Sequence, residues 1–162
     1  MKFAILFPVF ALALLLAGCG SSAPPAAAPK KAARPAAPPP TDQTRRFPMA
    51  ERVEVALVES ALFGKPFLPG GNVAKYTRGA REYEMFIIRA ASPAAAAGLL
   101  FDYKSTLESP KFIAHFGGYF GADAGTPTFL FSKGSWLGGV RGLPEAEADA
   151  VARELAGRLD LD

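Results

Sequence analysis

Cysteine and histidine each occur once in this chain, as Cys19 and His115. Between them they carry most of the nucleophilic and proton-transfer chemistry the sequence offers. A lone cysteine forms no intramolecular disulfide and no Cys-x-x-Cys metal or redox site. His115 could serve as a general base, with Ser109 and Asp123 completing a Ser-His-Asp arrangement. However, no serine lies in the Gly-x-Ser-x-Gly turn that exposes a nucleophile. A loop or half-buried histidine is the plainer reading. Metal sites need three or four convergent ligands, and one histidine with scattered carboxylates makes none. Gly70-Gly71 and the glycines of GGYFGADAG are not followed by Gly-Lys-Ser/Thr, so they form no phosphate cradle of that type. Glu82 and Glu84 alternate as the wet face of a strand does. The chain is therefore read as non-enzymatic, with no cofactor and no metal.

The segment KFIAHFGGYFGADAG, residues 111–125, packs aromatic rings among glycines. Phe112, His115, Phe116, Tyr119 and Phe120 form a candidate contact surface, because rings supply area at low entropy cost. Phe116 and Tyr119 flank Gly117-Gly118, which is expected to turn the backbone and bring both rings to one side. The competing reading places these rings in the gap between a sheet and its helices.

Cys19 has its own context. Residues 1–18 begin with Lys2 and continue as an apolar run from Phe3 to Leu16. That run is shorter than the roughly 20 residues a spanning helix needs, and it matches a secretion signal. Leu16-Ala17-Gly18-Cys19 resembles the lipobox of bacterial lipoprotein signals. The resemblance implies a diacylglyceryl group on the Cys19 thiol, cleavage before Cys19, and palmitate-type acylation of the new amino group. Two or three chains anchor a protein stably where one does not. Gly20 follows where such proteins carry Asp when retained in the inner membrane. The resemblance thus implies an outer-membrane location facing the periplasm, with the membrane engaged through the lipid at Cys19.

Behind the cysteine, residues 20–44 hold seven prolines and eight alanines and no Leu, Ile, Val or aromatic residue. Such a segment cannot bury enough apolar surface to offset its chain entropy. Residues 19–46 are expected to be a disordered tether reaching at most ~80 Å at ~3.1 Å per residue. It carries Lys30, Lys31, Arg34, Arg45 and Arg46 against Asp42 alone. From Phe47 onward there are 12 basic and 14 acidic residues, a net of −2. The domain lacks the one-sign field of a nucleic-acid binder, so no nucleic-acid partner is expected.

Residues 47–162 suffice for one domain. AERVEVALVESALF is read as a helix on its Ala, Glu and Leu content, although Val53, Val55 and Leu57 also alternate. KPFLPGG breaks the chain. A hairpin follows, turning at Arg78-Gly79-Ala80-Arg81, with Tyr83, Met85 and Ile87 on one side of its second strand. Ser92 and Pro93 open a helix whose stripe is Ala96, Leu99, Leu100, Tyr103 and Leu107, ending at Ser109-Pro110. A second hairpin sets Phe129 and Phe131 before a Lys133-Gly134 turn and Trp136 after it. Gly138-Gly139 implies a bulge or a close approach. The last helix starts at Pro144 with the stripe Ala148, Val151, Ala152, Leu155 and Leu159. These elements predict an α+β fold: an antiparallel sheet of hairpins, covered on one face by two to three amphipathic helices.

IIRAASPAAAAGLLFDY, then FLFSKGSWLGGVRG and an Ala-rich helix, resemble an uncharacterised family of bacterial secreted and lipoprotein domains. The likeness covers roughly Val73 to Leu159 and rests on Ser92, Pro93, Gly98, Phe101, Lys133, Gly134 and Trp136. The family's Tyr-Ile-Asn-Gly segment is absent. The family carries no assigned activity. The sequence is read as a membrane-anchored envelope lipoprotein with a binding or scaffolding domain for an envelope protein or cell-wall component. The alternatives are a lipid-anchored hydrolase and a carrier of a small apolar ligand.

Overall fold

Strand periodicity dominates the middle of the chain, and the computed structural model, which describes residues 38–160, assembles it into one seven-stranded sheet. The elements are β1 (Arg52–Ser60), β2 (Pro69–Arg78), β3 (Arg81–Arg89), α1 (Pro93–Lys104), β4 (Glu108–Ile113), β5 (Gly118–Asp123), β6 (Thr126–Lys133), β7 (Trp136–Arg141) and α2 (Glu145–Gly157). All neighbours are antiparallel, in the order β1-β2-β3-β7-β6-β5-β4. Cys19, the apolar run before it and most of the spacer lie outside the described residues.

The β2–β3 hairpin turns where the sequence places it: Arg78 pairs with Arg81, and Gly79 takes a positive φ of 62°. Likewise Lys133 pairs with Trp136 around Gly134, at φ 53°. The Ser92 hydroxyl accepts from the Ala95 amide at 3.1 Å, with Pro93 in the first turn of α1. Both apolar stripes are buried as read.

The two helices cover opposite faces of the sheet, and this corrects the one-face expectation. On β3, Tyr83, Met85 and Ile87 join the stripe of α2, whereas Phe86 and Ile88 join that of α1. On β6, Phe129 and Phe131 face α2 and Leu130 faces α1. A central strand that is apolar on both sides exposes one side to water unless each is covered. α1 and α2 follow β3 and β7, adjacent strands at the sheet centre, and each takes one face.

Three further readings change. Residues 52–60 form strand β1, not a helix. Seven register pairs with β2 outweigh the local propensity of Ala, Glu and Leu. Residues 108–123, left without elements in the sequence, form a third hairpin, β4–β5. Ser109-Pro110 lies inside its first strand, while α1 has already ended at Lys104. Finally, Thr41–Arg46, assigned to the tether, are bound to the domain. The Gln43 amide donates to Asn72 Oδ1 at 3.0 Å, and Asn72 Nδ2 returns a bond to the Thr41 carbonyl at 3.0 Å. Arg46 lies 4.8 Å from the buried Trp136 ring and donates to Asp160 Oδ2 at 2.6 Å. The domain therefore begins near Thr41 and not at Phe47.

Candidate functional site

The five candidate surface residues sit on the β4–β5 hairpin, and its pairing divides them. Phe112 pairs with Tyr119, and Tyr119 with Leu130, which faces α1. Phe120 pairs with Lys111 and Phe129, which puts it on the α2 face. Phe116, in the turn, packs edge-on against Phe129 at 5.1 Å and lies 5.0 Å from Phe131. Phe116 and Tyr119 thus lie on opposite faces, and the expectation of both on one side fails. The hairpin is a two-sided strand pair, so its alternation, and not the glycine spacing, sets direction. Phe116 and Phe120 are half-buried core margins.

His115 is exposed, and its Nε2 lies 2.8 Å from Asp149 Oδ1 on α2. Burial pushes the Asp149 carboxyl up, but hydrogen bonds from His115 and Arg153 more than reverse this and hold it below 3.8. Asp123, proposed as the third member of a triad, is nearly fully buried on the α1 face. It accepts from the Tyr103 hydroxyl at 2.8 Å and from Lys65 Nζ at 2.8 Å, with Arg141 Nη2 at 3.6 Å. Ser109, His115 and Asp123 are therefore not brought together. The Asp123 cluster is a charge-balanced structural knot. Arg141 also reaches Glu84 Oε2 at 3.3 Å, and the Phe63 ring covers its guanidinium at 4.1 Å. Burial, followed by the bond to Asp123, raises the Tyr103 phenol far above its ordinary value.

What the hairpin does leave open is an aromatic surface on the α1 face. Phe112 is 56% exposed and packs on Tyr119 with centroids 5.3 Å apart. Lys104, at the end of α1, places its ammonium 5.1 Å from the Tyr119 ring and 5.1 Å from that of Phe101. Phe101 is 61% exposed. The four residues make a continuous strip, Phe101–Lys104–Tyr119–Phe112. Phe112 and Tyr119 were legible as candidates. Phe101 was missed as a surface residue, yet it stands outside the stripe of Ala96, Leu99, Leu100 and Tyr103, and that was the available signal.

An open groove of about 460 Å³ runs beside the Asp123 cluster, lined by Lys75, Glu82, Glu84, Thr126 and Arg141. A wider depression near the start of α2 is lined by Arg81, Glu108, Lys111 and Glu145. The second lining also includes Phe120, Ala122, Pro127 and Pro144, so it presents more apolar than polar surface. Among the described residues no three His, Cys, Asp or Glu side chains converge as metal ligands, and no helix is long and apolar enough to cross a membrane. No protein-family model, curated protein or solved structure matches this chain.

Proposed function

We propose that this chain is a lipid-anchored envelope protein, held at Cys19 in the outer membrane, whose domain docks a partner protein without catalysing a reaction. The observation that carries the reading is the strip Phe101–Lys104–Tyr119–Phe112. Two phenylalanines stand more than half exposed, one on each side of a lysine that touches two rings. Clustered exposed aromatics are what protein interfaces enrich and what free surfaces avoid. Once a partner excludes water, such rings become the main contributors to affinity. The near-neutral domain does not support a polyanion as the bound species. Among the described residues His115 is hydrogen-bonded to Asp149 and to no serine or threonine that could serve as a nucleophile.

The test has two arms. A photo-crosslinking residue at Phe112, in cells, should trap a discrete adduct, while the same residue at Glu82 should not. Phe101→Ala with Phe112→Ala should abolish the adduct formed from a third position, Tyr119, and leave thermal unfolding unchanged within about 0.5 kcal/mol, as for exposed sites. Equal trapping at Phe112 and Glu82 would remove the docking reading. For the anchor, mass spectrometry should find acyl mass on Cys19, and Cys19→Ser should accumulate as uncleaved precursor. A Cys19→Ser product cut before residue 19 would remove the lipid anchor.

A further inference from the structure

The two ends of the sheet are not alike. β4 is a blunted edge: inside the strand Pro110 lacks an amide and Ser109 has a positive φ of 48°. These are features by which edge strands avoid pairing. β1 has no proline and runs for nine residues, RVEVALVES, and among the described residues no strand pairs with its outer edge. Val55 and Leu57 stand on its α2-side face, 38% and 43% exposed.

We infer that two copies of this chain pair antiparallel through the outer edges of their β1 strands, about a two-fold axis at Ala56, to form one continuous fourteen-stranded sheet. A two-fold perpendicular to the sheet keeps like faces together, so only registers that match residues of the same face are allowed. With Ala56 on the axis, Val55 of each copy meets Leu57 of the other, and the four side chains close over one another. Glu54 meets Val58, so no like charges are opposed.

The ends of the strand favour the same register. Between Arg52 and Glu54 the register against β2 slips by one residue, so Arg52 and Val53 together occupy one position. That position falls opposite Glu59 of the second copy. Arg52 pairs with Tyr76 on the α2 face, and Glu59 lies two residues beyond Leu57 on that face. Within one copy the Arg52 guanidinium binds the carbonyls of Thr44 and Phe47 and the Met49 sulfur, but no carboxylate. Among the described residues Glu59 has no ion-pair partner. The two-fold gives each the charge it lacks, twice, at the two flanks of the apolar centre. A second copy satisfies apolar surface, backbone edge and both charges at once.

Single cysteines in the full chain, expressed in cells and mildly oxidised, test the register. Opposed Cα atoms in an antiparallel pair are about 4.5–5.5 Å apart, within disulfide reach. Ala56→Cys should give a covalent dimer at least fivefold above the parent chain, whose only cysteine is Cys19. Glu54→Cys and Val58→Cys should each stay near the parent alone and crosslink when co-expressed. Leu57→Lys, at an exposed position, should leave the far-ultraviolet circular dichroism of the folded chain unchanged and cut the Ala56→Cys dimer at least fivefold. An Ala56→Cys yield no higher than the parent's, or equal yields at residues 54, 56 and 58, would overturn the pairing. So would a Leu57→Lys variant that folds and still crosslinks fully. None of these readouts depends on the Phe101–Phe112 surface.

Discussion

The ring of Phe131 lies so close to its cross-strand neighbour Gly138 that a Cβ on residue 138 would sit 2.6 Å from Phe131 Cζ. The next residue repeats the arrangement on the other face: a Cβ on Gly139 would lie 2.4 Å from Cε1 of Phe86, its partner on β3. The two glycines are thus neither bulge nor turn. They are two slots, one per face, into which the largest rings of the flanking strands settle.

Filling either slot forces a buried ring off its rotamer, so Gly138→Ala and Gly139→Ala should each destabilise the domain by about 1–3 kcal/mol. Gly157→Ala, where a Cβ meets nothing within 4 Å, should instead be neutral or stabilising. Denaturant midpoints of the three variants check this, and equal midpoints for all three would refute the slots.

Asp123 is the buried anion on which Lys65, Tyr103 and Arg141 converge. Removing it leaves Lys65 without a carboxylate and the Tyr103 hydroxyl without its acceptor in a shielded site, while Arg141 keeps Glu84, so Asp123→Ala should cost about 3 kcal/mol. His115→Ala, whose ion pair with Asp149 is exposed, should cost well under 1 kcal/mol. Urea unfolding of both variants separates a structural role for Asp123 from a triad in which the two losses would act together on activity.

Truncation at Phe47 removes Gln43–Asn72 and the Arg46 contacts with Trp136 and Asp160. A chain begun at Phe47 should therefore unfold earlier than one begun at Pro38. Arg46→Ala alone should account for about 1–2 kcal/mol of the loss. Thermal scans of the two lengths and the point variant measure it.

Burial, the largest cause in each case, raises the phenols of Tyr76, Tyr83 and Tyr103 above their ordinary value of 10.0. A raised acid pKa means that the unfolded chain ionises first. The stability from these phenols is full below pH 10 and falls as pH rises through the folded values. Ultraviolet titration should show phenolate from Tyr76 and Tyr103 appearing together with loss of tertiary circular dichroism. Phenolate from both in a chain that is still folded near pH 10 would contradict it.

Hydrogen bonds from His115 and Arg153, outweighing burial, hold Asp149 below 3.8, and the sign here is opposite. Its contribution is present above the ordinary value and disappears as pH falls through the lower folded one. The Tm difference between the parent and Asp149→Asn should shrink between pH 6 and pH 3.

Local signals in the chain were enough for the parts whose geometry is local. A two-residue turn needs Gly79, an N-cap needs Ser92 before Pro93, and a helix face needs apolar residues three and four apart. Each was legible because the physical requirement is met by neighbours in sequence. Cys19 and the apolar run before it lie outside the described residues. What the sequence could not decide was anything settled by residues far apart along it. AERVEVALVESALF suits a helix or a strand nearly equally, and pairing with residues 69–76 made it β1. Which face each helix covers was fixed only when apolar runs such as FII and FLF became central strands needing cover on both sides. The same pairing turned Phe116 into the core margin and left Phe112 in water beside Lys104 and Phe101. Composition counted the aromatic rings; only the register between strands determined which of them stay exposed.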